Sequence, residues 1–219
     1  MKYDVLNKDL SYMYGWFAGD GGLYNTTRNR GKLQTEISFE DKDIIYKLES
    51  ILSSMQINSS VRTRTRDTNY KLSYKSISLA VYSLDFRTFF IDAGFEKGCK
   101  TTSIAPPTIP FDEKSFARGY IDADGSFCIG RTHNIPILSI CISSEKIYLF
   151  FIKEIEKVCG YTPNLTRNKR DNVYNLQVTR KNVLDFIDWL GYDIEGEISL
   201  DRKKYKALEL VNKYKTLYK

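Results

Sequence analysis

The chain predicts an α+β fold: one helix-strand-strand-helix-strand-strand-helix unit duplicated in tandem, with an extra helix at the end. Three observations carry this reading. Met13-Tyr14-Gly15-Trp16-Phe17-Ala18-Gly19-Asp20-Gly21 reappears as Ala117-Arg118-Gly119-Tyr120-Ile121-Asp122-Ala123-Asp124-Gly125, an offset of 104 residues. The same offset pairs Ser11 with Ser115, Lys42 with Lys146, Ile51 with Ile155, Arg66 with Arg170, Asp67 with Asp171, Tyr70 with Tyr174 and Leu72 with Leu176. Pro106, Pro107 and Pro110 then mark an extended linker, 99–112, between a first repeat over 1–98 and a second over 113–219.

Each element has its own signal. The repeated motif is a short apolar helix ending at Asp-Gly, with Gly21 and Gly125 expected as left-handed terminators. Strand-like runs follow at 22–28 and 33–39, and at 126–131 and 137–142. Ile44, Leu48, Ile51 and Leu52 recur at helical spacing, as do Tyr148, Ile152 and Ile155. A second strand pair is expected at 61–65 and 72–81, matched by 164–168 and 173–178. Helices over 84–93 and 182–190 close the units, and Tyr205, Leu208 and Val211 mark a last helix over about 200–218. Gly15 and Gly19 in one motif helix, with Gly119 and Ala123 in the other, give small-residue faces on which two helices can pack closely.

Composition narrows the function. Of 219 residues, 42% are hydrophobic and 27% charged, an ordinary globular balance with material for a core. The longest apolar run, 147–152, is far short of a membrane span and no signal peptide is readable, so an intracellular protein with no membrane partner is expected. One histidine and four cysteines without CxxC spacing disfavour structural zinc and chemistry needing two histidines. The net charge of +6 points toward a polyanionic partner.

Asp20 and Asp124 end their helices at the negative pole of the macrodipole, where an anion is disfavoured by roughly 0.3–1 kcal/mol. Packing the two helices together adds like-charge repulsion. A divalent cation would offset both, and paired acids at a pseudo-two-fold axis suit metal-assisted phosphodiester hydrolysis. A single Asp-Gly is more simply a turn; two in register favour a site.

Phe116 to Phe127, with Gly119-Tyr120-Ile121-Asp122-Ala123-Asp124-Gly125 at its centre, resembles the second motif of the LAGLIDADG homing endonucleases in their monomeric, two-repeat form. The first copy is looser, with Ala18 in place of the non-catalytic acid, but it keeps the packing glycine and the final acid. The resemblance implies motif helices packed at the interface through Gly15 and Gly119, and two saddle-shaped antiparallel sheets in the DNA major groove. It implies Mg²⁺, or another divalent cation such as Mn²⁺, on Asp20 and Asp124, with Gly19 and Ala123 in the metal set. Asp41 and Glu145, paired by the 104 offset, are either helix-start acids or polar active-site residues of the kind that the family places there. Lys100 resembles the family's active-site lysine, and equal spacing from the second motif gives Lys204, with Lys203 one residue away.

The DNA-binding expectation rests on alternation. Arg62, Arg64 and Arg66 share one strand face, and Arg167, Lys169 and Arg170 hold the corresponding place in the second repeat. Arg28, Arg30, Lys32 and Gln34 lie in the first hairpin, and Arg131 in its counterpart. Asn175 and Gln177 alternate with Leu176 and Val178, which turns the amides from the core. The expected activity is cleavage of double-stranded DNA at a long asymmetric site, leaving 3′ overhangs, by a monomeric pseudo-dimer. The alternatives on the same fold are a maturase acting on intron RNA and a non-cleaving DNA-binding regulator.

Overall fold

In the computed structural model all residues are described except 1–2, 26–27, 70–71, 99–100, 132, 164–166, 169–170 and 219. The first repeat runs α1 (Lys8–Asp20), β1 (Gly21–Asn25), β2 (Gly31–Ser38), a 3-10 turn at Phe39–Asp41, α2 (Lys42–Ser54), β3 (Ser59–Arg66), β4 (Tyr74–Val81) and α3 (Leu84–Asp92). The second runs α4 (Glu113–Asp124), β5 (Gly125–Ile129), β6 (Pro136–Ile142), α5 (Glu145–Cys159), β7 (Arg167–Asn168), β8 (Val173–Thr179) and α6 (Lys181–Leu190), followed by α7 (Asp201–Tyr214). Both sheets are antiparallel with matching orders, β1-β2-β4-β3 and β5-β6-β8-β7. The expected unit is present twice.

The motif helices form the seam. A Cβ built on Gly15 would stand 2.1 Å from the Phe116 carbonyl oxygen, and one on Gly119 would stand 2.1 Å from that of Tyr12. These contacts are related by the duplication, since Tyr12 corresponds to Phe116 as Gly15 does to Gly119. Further along, a Cβ on Gly19 would fall 2.5 Å from that of Ala123. Only hydrogen side chains allow backbones this close. Asn7 caps α1 by accepting from the Asp9 and Leu10 amides, and Asp112 caps α4 by accepting from that of Ser115.

Gly21 and Gly125 are not left-handed. Both are extended (φ −114° and −85°), because each helix passes directly into a strand. Their need for glycine is steric instead: a Cβ would meet Phe17 at 2.3 Å or Ile121 at 2.8 Å.

The constant offset also fails beyond the first hairpin. Thr35 faces Gly21 across the ladder as Ile140 faces Gly125, an offset of 105. Leu79 faces Thr35 as Leu176 faces Ile140, an offset of 97. Tyr174 and Leu176 therefore occupy the places of Ile77 and Leu79, not of Tyr70 and Leu72. The hairpins differ in length, and the sequence identities carried through them at 104 were coincidental.

One face of each sheet is apolar. Leu23, Leu33, Ile37, Ile77, Leu79 and Val81 are buried beneath α1, α2 and α3; Phe127, Leu138, Ile142, Tyr174, Leu176 and Val178 are their counterparts, and Ile140 is buried where the first sheet has Thr35. Beside α1 the first repeat packs an aromatic cluster of Tyr14, Phe17, Phe86, Phe90 and Phe95, with ring centroids 5.1–5.9 Å apart. Such pairs add roughly 0.5–1.5 kcal/mol each beyond the area that they bury.

Candidate functional site

The seam determines where the motif acids stand. Asp20 and Asp124 are both solvent-exposed at the C-terminal ends of α1 and α4, beside the close approach of Gly19 and Ala123. A Cβ on Gly19 would lie 3.2 Å from Asp124 Oδ2, so this carboxylate sits against the opposite helix. Two buried groups feel both acids. The Tyr120 phenol is pushed far above its usual range by burial, by its hydrogen bond with Asp124, and more weakly by Asp20. Lys203 is pulled below the usual lysine range by burial, against the opposing pull of Asp122, Asp20 and Asp124.

Lys203, not Lys204, reaches the motif helices. Its Nζ donates to the carbonyl oxygens of Ile121 (2.9 Å), Asp122 (2.6 Å) and Ala123 (3.0 Å), covering the negative end of α4 with a buried cation. Lys204 instead lines a groove with Asp9, Lys47 and Glu197. The assignment was displaced by one because it relied on spacing that the duplication does not preserve. Lys100 lies outside the described residues. The Ala123 carbonyl, expected in the metal set, thus already accepts from Lys203. At the end of α1 the Thr35 hydroxyl donates to the Asp20 carbonyl (2.9 Å) and receives the Trp16 indole N–H (3.3 Å).

Asp41 and Glu145 are not equivalent. Asp41 closes the 3-10 turn, makes no side-chain cap, and forms a two-pronged ion pair with Arg202 (2.8 and 2.9 Å). Glu145 is an exposed acid opening α5. Both helix-start positions match expectation; the pairing by offset does not hold.

Sequence reasoning missed the polar network behind the second motif. Asp122 is buried and accepts from Tyr12 (2.7 Å), Tyr192 (2.7 Å) and the Leu200 amide (2.8 Å); burial nonetheless raises its pKa. Arg118, one turn earlier, donates to the Ile198 and Leu190 carbonyls and pairs with Glu197. The signal was available: charges at i and i+4 within a helix otherwise built for burial must have partners.

The other face of each sheet is polar. In the first, the ladder aligns Gln34, Glu36 and Ser38 with Ala80, Ser78 and Ser76, and these with Ser60, Arg62 and Arg64. Lys32 faces Tyr24 in the same alternation, Arg66 extends the row, and Arg28 and Arg30 are exposed at the hairpin tip. In the second, Ser126, Ser139 and Gln177 align, as do Cys141 and Asn175, with exposed Arg131 beyond the end of β5. Arg167 does not join them. It pairs with Tyr174 on the core-facing side, its guanidinium 5.0 Å above that ring, and donates to the Asn172 carbonyl. Lys169 and Arg170 lie outside the described residues.

The donor set suits a hard divalent cation: two exposed carboxylates at helix ends that also present main-chain carbonyls. Among the described residues no three His, Cys, Asp or Glu side chains cluster as a self-sufficient metal cage. Magnesium commonly binds in this manner, through one or two carboxylates plus the phosphate oxygens of a substrate. No helix among the described residues is long and apolar enough to cross a membrane.

Comparison with known proteins agrees with the geometry. Residues 7–91 match the family model described as a LAGLIDADG-like domain. No curated protein matches the chain. Among solved structures, the homing endonuclease I-WcaI bound to its DNA recognition sequence is similar at a TM-score of 0.65 and 15% identity, covering 94% of this chain and 88% of that one. The N-terminal LAGLIDADG domain of DUF199/WhiA is similar at 0.53 and 20%, covering 92% of each chain. I-DmoI E117A, in complex with its target DNA in the presence of manganese, is similar at 0.55 and 14%, covering 84% and 94%.

Proposed function

We propose that this two-repeat LAGLIDADG protein is a site-specific endonuclease that cleaves double-stranded DNA with a divalent cation, Mg²⁺ or Mn²⁺. The observation that carries the reading is the pair of exposed acids, Asp20 and Asp124, held where two helices meet at their negative poles. A fold that needed only to bind would gain stability by losing them. The likeness to homing endonucleases crystallised with DNA supports the same substrate.

When bound, the cation would activate water and neutralise the leaving oxygen. Asp20 and Asp124 would hold it, one acid for each strand cut, with the Gly19 and Ala123 carbonyls beside them at the helix ends. Lys203 holds positive charge behind the phosphate site and fixes the end of α4. Tyr120 orients the Asp124 carboxylate. The polar sheet faces carry the arginines and amides that would follow the major groove, and their unlike composition in the two repeats suits an asymmetric target. A chain with both half-sites acts as a monomer. Short 3′ overhangs are the expected product.

Plasmid cleavage with Mg²⁺ by wild type, Asp20→Asn and Asp124→Asn tests this. Wild type is expected to linearise a plasmid bearing its site, and each variant to nick or fail. A bound but uncut site would refute cleavage and favour the second reading, a DNA-binding regulator on the same fold.

A further inference from the structure

We infer that Glu36 is a base-reading residue that makes the first repeat select cytosine at one position of its DNA target. The inference rests on the DNA-binding reading above. Glu36 is the carboxylate in a cross-sheet row of Glu36, Ser78 and Arg62 on the polar face of the first sheet. Its Oε1 accepts from the Ser76 hydroxyl (2.7 Å) and lies 3.4 Å from Arg66 Nη2, whereas Oε2 has no hydrogen-bond partner among the described residues. The side chain is thus fixed by one oxygen and presents the other.

A carboxylate facing a phosphate backbone weakens binding at every sequence, so it is useful only where it meets a donor. Major-groove edges offer two: cytosine N4 and adenine N6. Adenine carries the N7 acceptor beside its amino group, which repels a carboxylate; cytosine has no such neighbour. Guanine presents two acceptors, and thymine an acceptor and a methyl group. Arg66, held at the same carboxylate, has the fork that matches guanine O6 and N7, so the pair can read both bases of a C·G pair.

The ladder also places the position. Cys141 faces Asn175 in the second sheet as Glu36 faces Ser78 in the first. Cys141 lines a cavity of about 90 Å³ with Tyr120 and Asp124, next to the second motif acid. The equivalent row holding Glu36 therefore lies near the first motif acid. The base pair read lies toward the centre of the site, on one side only, since the second repeat has a thiol there.

Selection from a randomised duplex library, in EDTA so that no cleavage intervenes, tests the inference. Wild type is expected to enrich cytosine at one central position of one half-site. Glu36→Gln keeps an acceptor for Ser76, so its melting temperature should match wild type; it should lose cytosine preference there by about tenfold or more and bind unrelated duplex more tightly. Arg66→Gln should relax guanine on the opposite strand at the same pair. An unchanged cytosine column in Glu36→Gln overturns the inference while leaving the DNA-binding reading intact. A wild type that enriches no sequence overturns both.

Discussion

Replacing Gly15 or Gly119 with alanine tests whether the seam is as tight as its geometry indicates. Each new methyl would stand 2.1 Å from a carbonyl oxygen of the opposite helix, backbone that cannot rotate aside. Carbon–oxygen contacts between packed helices settle at about 3.3 Å, so the helices must separate by roughly 1 Å. A gap of that size forfeits a quarter to a half of the dispersion energy across it, and overpacking of this kind costs about 1–3 kcal/mol. Alanine regains about 1 kcal/mol through helix propensity. With the clash against backbone, the upper end applies, and the net loss is about 2 kcal/mol per substitution. Urea denaturation should show the loss as a lower midpoint at unchanged slope. The double variant should lose less than the sum, since the first methyl opens the space that the second needs. Gly160→Ala provides the control: its Cβ meets nothing within 4 Å, and only its φ of +69° is unfavourable. Stability of Gly15→Ala and Gly119→Ala within about 0.5 kcal/mol of wild type would refute the close-packed seam.

Two buried ionisable groups predict pH dependences of opposite sign. Burial raises the folded-state pKa of Asp122, so the folded protein holds its proton longer than the unfolded chain does. Wild type should therefore lose stability relative to Asp122→Asn as pH rises from the ordinary carboxylate range through the raised value; a pH-independent difference would count against the burial. Lys203 is shifted down, so the folded protein releases its proton first, and its unfavourable charge is relieved as pH climbs through the lowered value toward 10.5. Relative to Lys203→Met, wild type should gain stability across that window in urea titrations, and an equal response of both proteins would refute the assignment.

The element order was legible because period-2 and period-3.6 patterning survives insertion and deletion. Leu23, Leu33 and Leu79 are buried in one sheet as Phe127, Leu138 and Leu176 are in the other. The motif acids and packing glycines were legible because α1 and α4 meet directly, which forbids length change between Gly15 and Asp20. Positions beyond the hairpins were not, since loops absorb residues without disturbing the core. That is why Glu145 was matched to Asp41 and Lys204 was preferred to Lys203. Arg167 misled for a different reason: it was placed by its position in the repeat, whereas its register against Tyr174 puts it on the face opposite Asn175 and Gln177. Glu36 was overlooked because a lone carboxylate among basic and amide residues resembles ordinary surface until Ser76 and Arg66 are seen to hold it.

The ion pairs at the start of α7 bear on the order in which the chain folds. Lys47 reaches the Ser199 carbonyl (2.7 Å) and Asp201 (2.6 Å), Asp43 accepts from the Asp201 amide (3.0 Å), and Arg202 grips Asp41. These contacts join the first repeat's α2 to residues more than 150 positions later. Closing so long a loop carries an entropic cost before any contact repays it, so this step belongs late in folding. Lys203 sits beside Arg202 on the same helix turn, so the cation that covers the end of α4 arrives in that same late closure. The same segment supplies the Leu200 amide to Asp122 and the Ile198 carbonyl to Arg118, so the buried charges of α4 gain their last partners in that closure as well. Placement of the Lys203 cation at the end of α4 is thus coupled to the docking of α7 against α2, so a change at Lys47 or Asp43 should be felt at the motif helices.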